Sequence, residues 1–123
     1  MKKFKILIIE DSVTFNNMLK RSLKNIASEI IQAFSFMQAE EYLENDEFDL
    51  ILMDENMPIM NGIEATKKIR ELEKETNKHI PIIAVTANAL TGDKERFLEA
   101  GFDDYIPKPV DIKLLKEVMG KFL

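Results

Sequence analysis

The sequence predicts an α/β protein with an open five-stranded parallel sheet and helices on both of its faces. Short apolar segments alternate along the chain with segments whose apolar residues recur at helical spacing. An apolar run without polar alternation is typical of a strand that is buried on both faces, as in a parallel sheet covered by helices. Regular strand–helix alternation with short connections favours parallel strands that are joined by right-handed crossovers.

Each predicted element has its own local signals. In chain order, the strands are predicted at 4–9, 30–34, 50–53, 82–85 and 104–106, and the helices at 12–26, 35–44, 62–75, 90–101 and 111–122. Ser12, Ser35 and Asp111 precede helical patterns and are expected to cap them, and Ser35 has capping-box spacing to Gln38. Gly101 is expected to end the fourth helix. In the first helix, Asn16 is assigned to a polar face, away from its apolar stripe.

Composition excludes several classes of function. The chain has 17 basic and 22 acidic residues, a formal charge of −5, and no cysteine. It therefore has no electrostatic footprint for nucleic acid and no means of forming disulfides or thiolate zinc sites. No apolar segment approaches membrane-spanning length, and acidic residues interrupt the first apolar run too early for a signal peptide. We expect a single domain over residues 1–123, without an output domain, in the cytoplasm.

Polar side chains follow four of the predicted strands. Glu10 and Asp11 come after the first strand, Asp54 after the third, Thr86 after the fourth and Lys108 just after the fifth. The carboxyl ends of parallel strands lie at one edge of the sheet, where open α/β folds place their chemistry. We therefore expect these side chains to converge.

Taken singly, each of these residues has a plainer interpretation. Asp54 is a common turn residue, and Glu10 and Asp11 suit the positive end of a helix dipole. Thr86 is an ordinary strand residue and Lys108 an ordinary loop lysine. Their recurrence at successive strand ends is what favours a site. The only histidine, His79, lies in a polar loop, where an exposed role is expected.

The predicted constellation suits phosphoryl transfer. Carboxylates that are packed together either hold a proton or bind a cation, and oxygen ligands without histidine or cysteine favour Mg²⁺. With a lysine and a hydroxyl beside it, a carboxylate can act as a nucleophile and form an aspartyl-phosphate. Asp54 is the candidate nucleophile.

Over essentially its whole length, the sequence resembles the receiver domain of two-component response regulators. The motifs that carry the resemblance are Glu10-Asp11, Met53-Asp54 followed by Met57-Pro58 and Gly62, Thr86-Ala87, Tyr105, and Lys108-Pro109. The segment IPIIAVTANALTGDKERFLEAGFDDYIPKP is most similar to receiver domains of hybrid histidine kinases.

The resemblance implies a flavodoxin-like (βα)5 fold with strand order 2-1-3-4-5. It also implies that Asp54 accepts a phosphoryl group from a phosphohistidine on a sensor histidine kinase or a histidine phosphotransfer protein. By the same resemblance, Lys108 pairs with the phosphoryl group. Mg²⁺ is then surrounded by Glu10, Asp11, Asp54 and the backbone carbonyl of Asn56.

Switching is also implied by the resemblance. Thr86 moves toward the phosphoryl group, and Tyr105 rotates inward and alters the face of the fourth helix, fifth strand and fifth helix for an unknown output protein. The Lys108–Pro109 peptide bond is expected to be cis. We further expect a monomer or weak dimer.

Two details refine the expected site. Glu10 stands where many family members have Asp, and its extra methylene is expected to direct the carboxylate to a metal-bound water while Mg²⁺ binding is retained. Asn56 and Asn88, each two residues beyond a predicted site residue, are expected to flank the path of an attacking water and to tune the phosphoryl lifetime.

Two other functions are weighed against the switch, which transfers and loses its own phosphoryl group but turns over no external substrate. A Mg²⁺-dependent phosphohydrolase of the haloacid dehalogenase type needs a D-x-D pair, whereas this chain has Asp54-Glu55-Asn56, and 123 residues leave no room for a cap. A phosphorylation-independent, receiver-like interaction module usually lacks a site residue, and none is missing here.

Overall fold

The computed structural model describes residues 4–55, 57, 60–76, 78–87 and 93–123. Within them, the elements are β1 (Lys5–Ile9), α1 (Val13–Ser22), β2 (Glu29–Ala33), α2 (Phe36–Asn45), β3 (Leu50–Asp54), α3 (Gly62–Glu73), β4 (Ile82–Thr86), α4 (Asp93–Ala100), β5 (Asp104–Pro107) and α5 (Ile112–Gly120). Among the helices in these ranges, none has the length and apolar content needed to cross a membrane.

The strands form one parallel sheet in the order β2-β1-β3-β4-β5. This result confirms the predicted fold class and strand order. At the carboxyl edge, Ile9 pairs with Met53, Asp54 pairs with Val85, and Thr86 pairs with Pro107. The strand ends that carry the predicted site residues are therefore neighbours in the sheet.

Apolar strand residues feed two cores because successive side chains point to opposite faces. On one face, Leu7, Ile51 and Ile82 pack with residues of α2, α3 and α4. On the other face, Ile8 and Leu52 pack with residues of α1 and α5. All residues of β3 and β4 are buried, which explains why their sequences lack alternation.

The predicted caps are confirmed. Ser12 Oγ accepts from the Phe15 amide at 3.2 Å, and Asp111 Oδ1 accepts from the Lys113 amide at 3.0 Å. Ser35 Oγ accepts from the Gln38 amide at 3.2 Å. Helix α4 ends before Gly101, whose φ of 108° is left-handed and favours glycine.

Several predicted boundaries differ from the structure. Helix α1 ends at Ser22. Leu23 and Ile26 pack against the core from the segment that follows the helix, so their spacing reflects burial rather than helix. Phe34 lies outside β2, since its amide donates to the Gln38 side chain at 2.8 Å. Helix α3 ends at Glu73. The predicted start of the fourth helix, Leu90, lies outside the described residues.

Gly62 shapes the connection that leaves β3. Its amide donates to the Glu55 carbonyl at 2.8 Å. A Cβ at Gly62 would lie 2.7 Å from the Asp54 carbonyl oxygen and 2.9 Å from the Glu55 Cα. Only glycine allows this close approach, which holds the start of α3 against the end of β3.

Candidate functional site

Three carboxylates meet at the carboxyl edge of the sheet. Glu10 and Asp11 follow β1, and Asp54 is the last residue of β3. One carboxylate oxygen from each lies within 4.8 Å of the others. The side chains of Glu10 and Asp54 are each only 3% exposed, whereas Asp11 is exposed. The predicted acidic cluster is therefore present, with one side open to solvent.

Lys108 brings a positive charge to this cluster from the end of β5. Its Nζ lies 3.2 Å from Asp54 Oδ1 and 3.4 Å from Glu10 Oε1. Its ammonium also lies 4.8 Å from the centroid of the Phe15 ring. The Lys108 amide donates to the Thr86 carbonyl at 2.7 Å, and the Lys108–Pro109 peptide bond is cis, as the resemblance implied.

The electrostatics of the cluster show that its charges are not balanced. Burial raises the pKa of Glu10 from its ordinary value of 4.5 to about 7, and the neighbouring Asp11 and Asp54 carboxyl groups push in the same direction. The Ser12 amide and the Lys108 charge oppose this shift. Burial disfavours the Lys108 charge, but the Glu10 and Asp54 carboxylates outweigh it and raise the pKa of Lys108. A cation would relieve the excess negative charge.

The chemistry of the donor set fits Mg²⁺. Glu10, Asp11 and Asp54 present hard oxygen ligands, and the open side at Asp11 leaves room for the waters that Mg²⁺ retains. Asn56, whose backbone carbonyl is predicted to complete the set, lies outside the described residues. Asn88 also lies outside them, so the predicted roles of both asparagines stay predictions.

Asn16 supports the site structurally, although the sequence pattern had placed it on a polar face of the first helix. It is fully buried, and its Nδ2 donates to the carbonyls of Glu10 at 3.0 Å and Ala33 at 3.1 Å. It thus ties the ends of β1 and β2 together beneath the acidic cluster. Its sequence signal was the three-residue step to the buried Leu19, which places both on the sheet-facing side of α1.

Thr86, the last residue of β4, is fully buried and donates its hydroxyl hydrogen bond to the Glu55 carboxylate. Glu55 is itself only 5% exposed, and its Oε1 accepts from Arg96 Nη2 of α4 at 2.7 Å. Sequence reasoning missed both Glu55 and Arg96. The only available signal was a second acidic residue directly after Asp54.

Tyr105 lies two residues before the end of β5, paired in register with Ala84. It is partly buried, and its ring lies 5.7 Å from that of Phe97 in a tilted arrangement. Its predicted inward rotation stays a prediction.

Comparison with known proteins identifies relatives of this arrangement. The sequence profile of the response regulator receiver domain matches residues 6–119. Hybrid signal transduction histidine kinase I of Dictyostelium discoideum is 45% identical over 121 residues, which cover 94% of this chain and 7% of that protein. The chain therefore spans a small part of such a relative.

Two solved structures share the fold. The receiver domain of a sensor histidine kinase from Pseudomonas aeruginosa PAO1, with a magnesium ion coordinated in its active site cleft, is 33% identical with a TM-score of 0.83 and covers 98% of both chains. The receiver domain of Saccharomyces cerevisiae Ssk1, co-crystallised with the histidine phosphotransfer signalling protein Ypd1, is 30% identical with a TM-score of 0.86. That match covers 98% of this chain and 88% of the other.

Proposed function

The chain belongs to the response regulator receiver domain family, and from this premise we propose that it is a phosphorylation-controlled signalling switch with Asp54 as its phosphoacceptor. The observation that carries the proposal is the contact between Asp54 and Lys108, at 3.2 Å, beside two further carboxylates at one sheet edge. A buried carboxylate on a rigid strand end, next to an ammonium group, is well placed to attack a phosphoryl group.

In the proposed reaction, a carboxylate oxygen of Asp54 attacks the phosphorus of a phosphohistidine. The new bond joins phosphorus to the Asp54 oxygen, the phosphorus–nitrogen bond breaks, and the imidazole leaves. Lys108 neutralises charge on the phosphoryl oxygens. A Mg²⁺ held by Glu10, Asp11 and Asp54 would supply further positive charge at the same place. The chain turns over no external substrate.

The added charge drives the proposed switch. A phosphoryl group brings roughly −1.5 to −2 charge units and new acceptor oxygens. The Thr86 hydroxyl then donates to one of these oxygens, and Tyr105 turns inward and changes the face formed by α4, β5 and α5. A modification shifts a conformational equilibrium only through contacts that differ between the two states. The contacts of Thr86 and Lys108 supply that difference.

The proposed phosphodonor is a sensor histidine kinase or a histidine phosphotransfer protein. The names of the relatives support this class of partner. Two exposed apolar side chains beside the acidic cluster support it further: Val13 is 60% exposed and Met37 is 76% exposed. Met37 also lines a cavity of about 360 Å³ together with Asp11. We extend the proposal to a cytoplasmic monomer or weak dimer that acts on protein partners and not on nucleic acid.

Labelling by a small phosphodonor tests the proposal. Wild-type chain and Asp54→Asn are incubated with acetyl phosphate and Mg²⁺, and covalent phosphate is measured by intact mass spectrometry. We expect labelling of the wild type and none of Asp54→Asn, because a neutral side-chain amide does not act as the nucleophile that the carboxylate provides.

The matched control is Asp103→Asn, which makes the same change at a carboxylate that pairs with Arg70 instead of Lys108. It should label as the wild type does. Undiminished labelling of Asp54→Asn would contradict the role of Asp54 as phosphoacceptor. Wild-type labelling that continues after EDTA has removed Mg²⁺ would contradict the proposed role of the metal.

A further inference from the structure

Glu55, Thr86 and Arg96 form a network, here called the Glu55 network, directly beside the phosphoacceptor. Glu55 follows Asp54 at the end of β3, and its carboxylate accepts the hydroxyl hydrogen bond of Thr86. Arg96 Nη2 donates to the other carboxylate oxygen at 2.7 Å. The Glu55 side chain is 7% exposed and that of Arg96 is 44% exposed. A buried acidic group is therefore held between the ends of β3 and β4 and the middle of α4.

The hydrogen bond from Thr86 to Glu55 competes with the contact that switching requires. A threonine hydroxyl has one donor hydrogen, so it cannot donate to Glu55 and to a phosphoryl oxygen at the same time. Hydrogen bonds to an ionised carboxylate are stronger than those between neutral groups. The phosphoryl group must therefore displace a charge-assisted acceptor before Thr86 can engage it.

We propose that Glu55 is a positioning residue that holds the Thr86 hydroxyl in its unphosphorylated arrangement and so sets the threshold for switching. This inference rests on the proposed phosphorylation of Asp54. Arg96 keeps the Glu55 carboxylate oriented toward Thr86. When Thr86 turns away, one oxygen of the Glu55 carboxylate loses this hydrogen bond, while the other still accepts from Arg96.

Contacts continue from the Glu55 network to the switching face. The Arg96 guanidinium carbon lies 4.9 Å from the centroid of the Phe97 ring. The Phe97 ring is in turn 5.7 Å from that of Tyr105. Phe97 is 1% exposed and fixed in the core, so a shift of Arg96 meets a rigid neighbour that also packs against Tyr105. These contacts thus connect Thr86 to Tyr105 through Glu55, Arg96 and Phe97.

Titration with beryllofluoride in Mg²⁺, a stable mimic of the phosphoryl group, tests the proposal. Binding is followed through the Thr86 methyl resonance in protein with labelled threonine methyl groups. Glu55→Gln retains the size of the side chain and removes its charge, so it weakens the hold on Thr86. We expect Glu55→Gln to bind beryllofluoride about tenfold more tightly than the wild type. Without ligand, its Thr86 resonance should move toward the bound position.

The Thr86→Val background separates this mechanism from a plain charge effect. If Glu55 acts through the Thr86 hydroxyl, Glu55→Gln should change affinity by less than about twofold when that hydroxyl is absent. A gain of equal size in both backgrounds would mean that Glu55 merely repels the anion, and would overturn the proposal. Equal affinity of Glu55→Gln and wild type would overturn it too.

Failure of the parent proposal is distinguishable from failure of this one. A wild-type chain that neither binds beryllofluoride nor is labelled at Asp54 contradicts both. A wild-type chain that binds, with a Glu55→Gln variant that behaves identically, contradicts only the role of Glu55. Urea denaturation checks that each variant folds. Glu55→Met, which fills similar volume without an acceptor, replaces Glu55→Gln if the amide disturbs folding, with the same expected direction.

Discussion

Two clusters of charged side chains in this molecule are built from similar residues but differ in balance. The acidic edge, formed by Glu10, Asp11, Asp54 and Lys108, has three carboxylates and one ammonium. The Arg70 cluster, formed by Arg70, Glu73, His79 and Asp103, lies near the opposite end of β4 and β5. Its guanidinium donates to Glu73 at 2.6 Å, to Asp103 at 2.7 Å, and to the carbonyls of Ile80 at 2.7 Å and Gly101 at 2.9 Å.

The acids of the Arg70 cluster are also used by the backbone. Glu73 Oε1 accepts from the Ile80 amide at 2.9 Å, and Asp103 Oδ2 accepts from the Ile82 amide at 2.8 Å. His79 Nε2 lies 2.7 Å from the remaining Asp103 oxygen, with its side chain 59% exposed, as expected for a loop histidine. Every charge there fastens one element to another. The Arg70 cluster sets one guanidinium against two carboxylates, whereas the acidic edge sets one ammonium against three, and this larger excess of negative charge makes the edge suitable for a cation.

Removing the cation of the Arg70 cluster should have the largest effect on stability. We expect Arg70→Met to lower the free energy of unfolding by about 3 kcal/mol, because it leaves two carboxylates and two carbonyls without their shared donor. Urea denaturation followed by circular dichroism measures this change. Labelling of the folded variant by acetyl phosphate should equal that of the wild type.

A loss of labelling in folded Arg70→Met would break the distinction between the two clusters, since it would connect the Arg70 cluster to the reaction. Lys67→Met, on the exposed side of the same helix, is the matched control. It should change the free energy of unfolding by no more than about 0.5 kcal/mol and should be labelled as the wild type is.

Removing a negative charge from the acidic edge should instead raise the free energy of unfolding. In the metal-free protein, Glu10 has a pKa of about 7, above its ordinary 4.5. Between these values the folded state binds more protons than the unfolded chain, so this group makes stability fall as pH rises from about 4.5 to about 7. Glu10→Gln removes that dependence. We expect it to be more stable than the wild type by about 1–2 kcal/mol at pH 8 in EDTA.

Urea denaturation at pH 5 and pH 8, with EDTA and then with saturating Mg²⁺, measures the prediction. Mg²⁺ should narrow the gap by stabilising the wild type, because a bound ligand stabilises the state that holds it. A Glu10→Gln variant that is less stable than the wild type at pH 8 in EDTA would contradict the prediction. It would show that neighbouring donors compensate the charge of Glu10, as they compensate the acids of the Arg70 cluster.

The sheet and most of the acidic edge were predictable from sequence because both follow from short-range patterns. Unbroken apolar runs mark buried parallel strands, and a parallel sheet gathers their carboxyl ends. Glu10, Asp54 and Lys108 therefore meet although Lys108 is far along the chain. Caps such as Ser12 depend on the adjacent backbone amides alone, so they too could be read locally.

The Glu55 network and the Arg70 cluster could not be predicted in the same way. Arg96 and Glu55 are separated by 41 residues, and Arg70 and Asp103 by 33. Neither pair follows from strand ends or helical spacing. Which arginine on a charged helix turns inward depends on how that helix packs on the sheet. Glu55 was missed because nothing local shows that the residue after β3 is buried.

The ring beneath Lys108 should have the smallest effect and gives the finest comparison. Phe15 lies 4.8 Å from Lys108 Nζ, and Phe48 lies 5.4 Å from Lys5 Nζ, away from the acidic edge. Phe15→Leu keeps apolar volume but removes the ring face that attracts the ammonium. We expect labelling by acetyl phosphate to slow about threefold, which corresponds to roughly 0.5–1 kcal/mol for such a contact.

Phe48→Leu loses the same kind of contact and should label at the wild-type rate, since its lysine touches no site residue. Equal rates for Phe15→Leu and Phe48→Leu would mean that the Glu10 and Asp54 carboxylates alone position Lys108, and any slowing specific to Phe15→Leu should vanish in a Lys108→Met background.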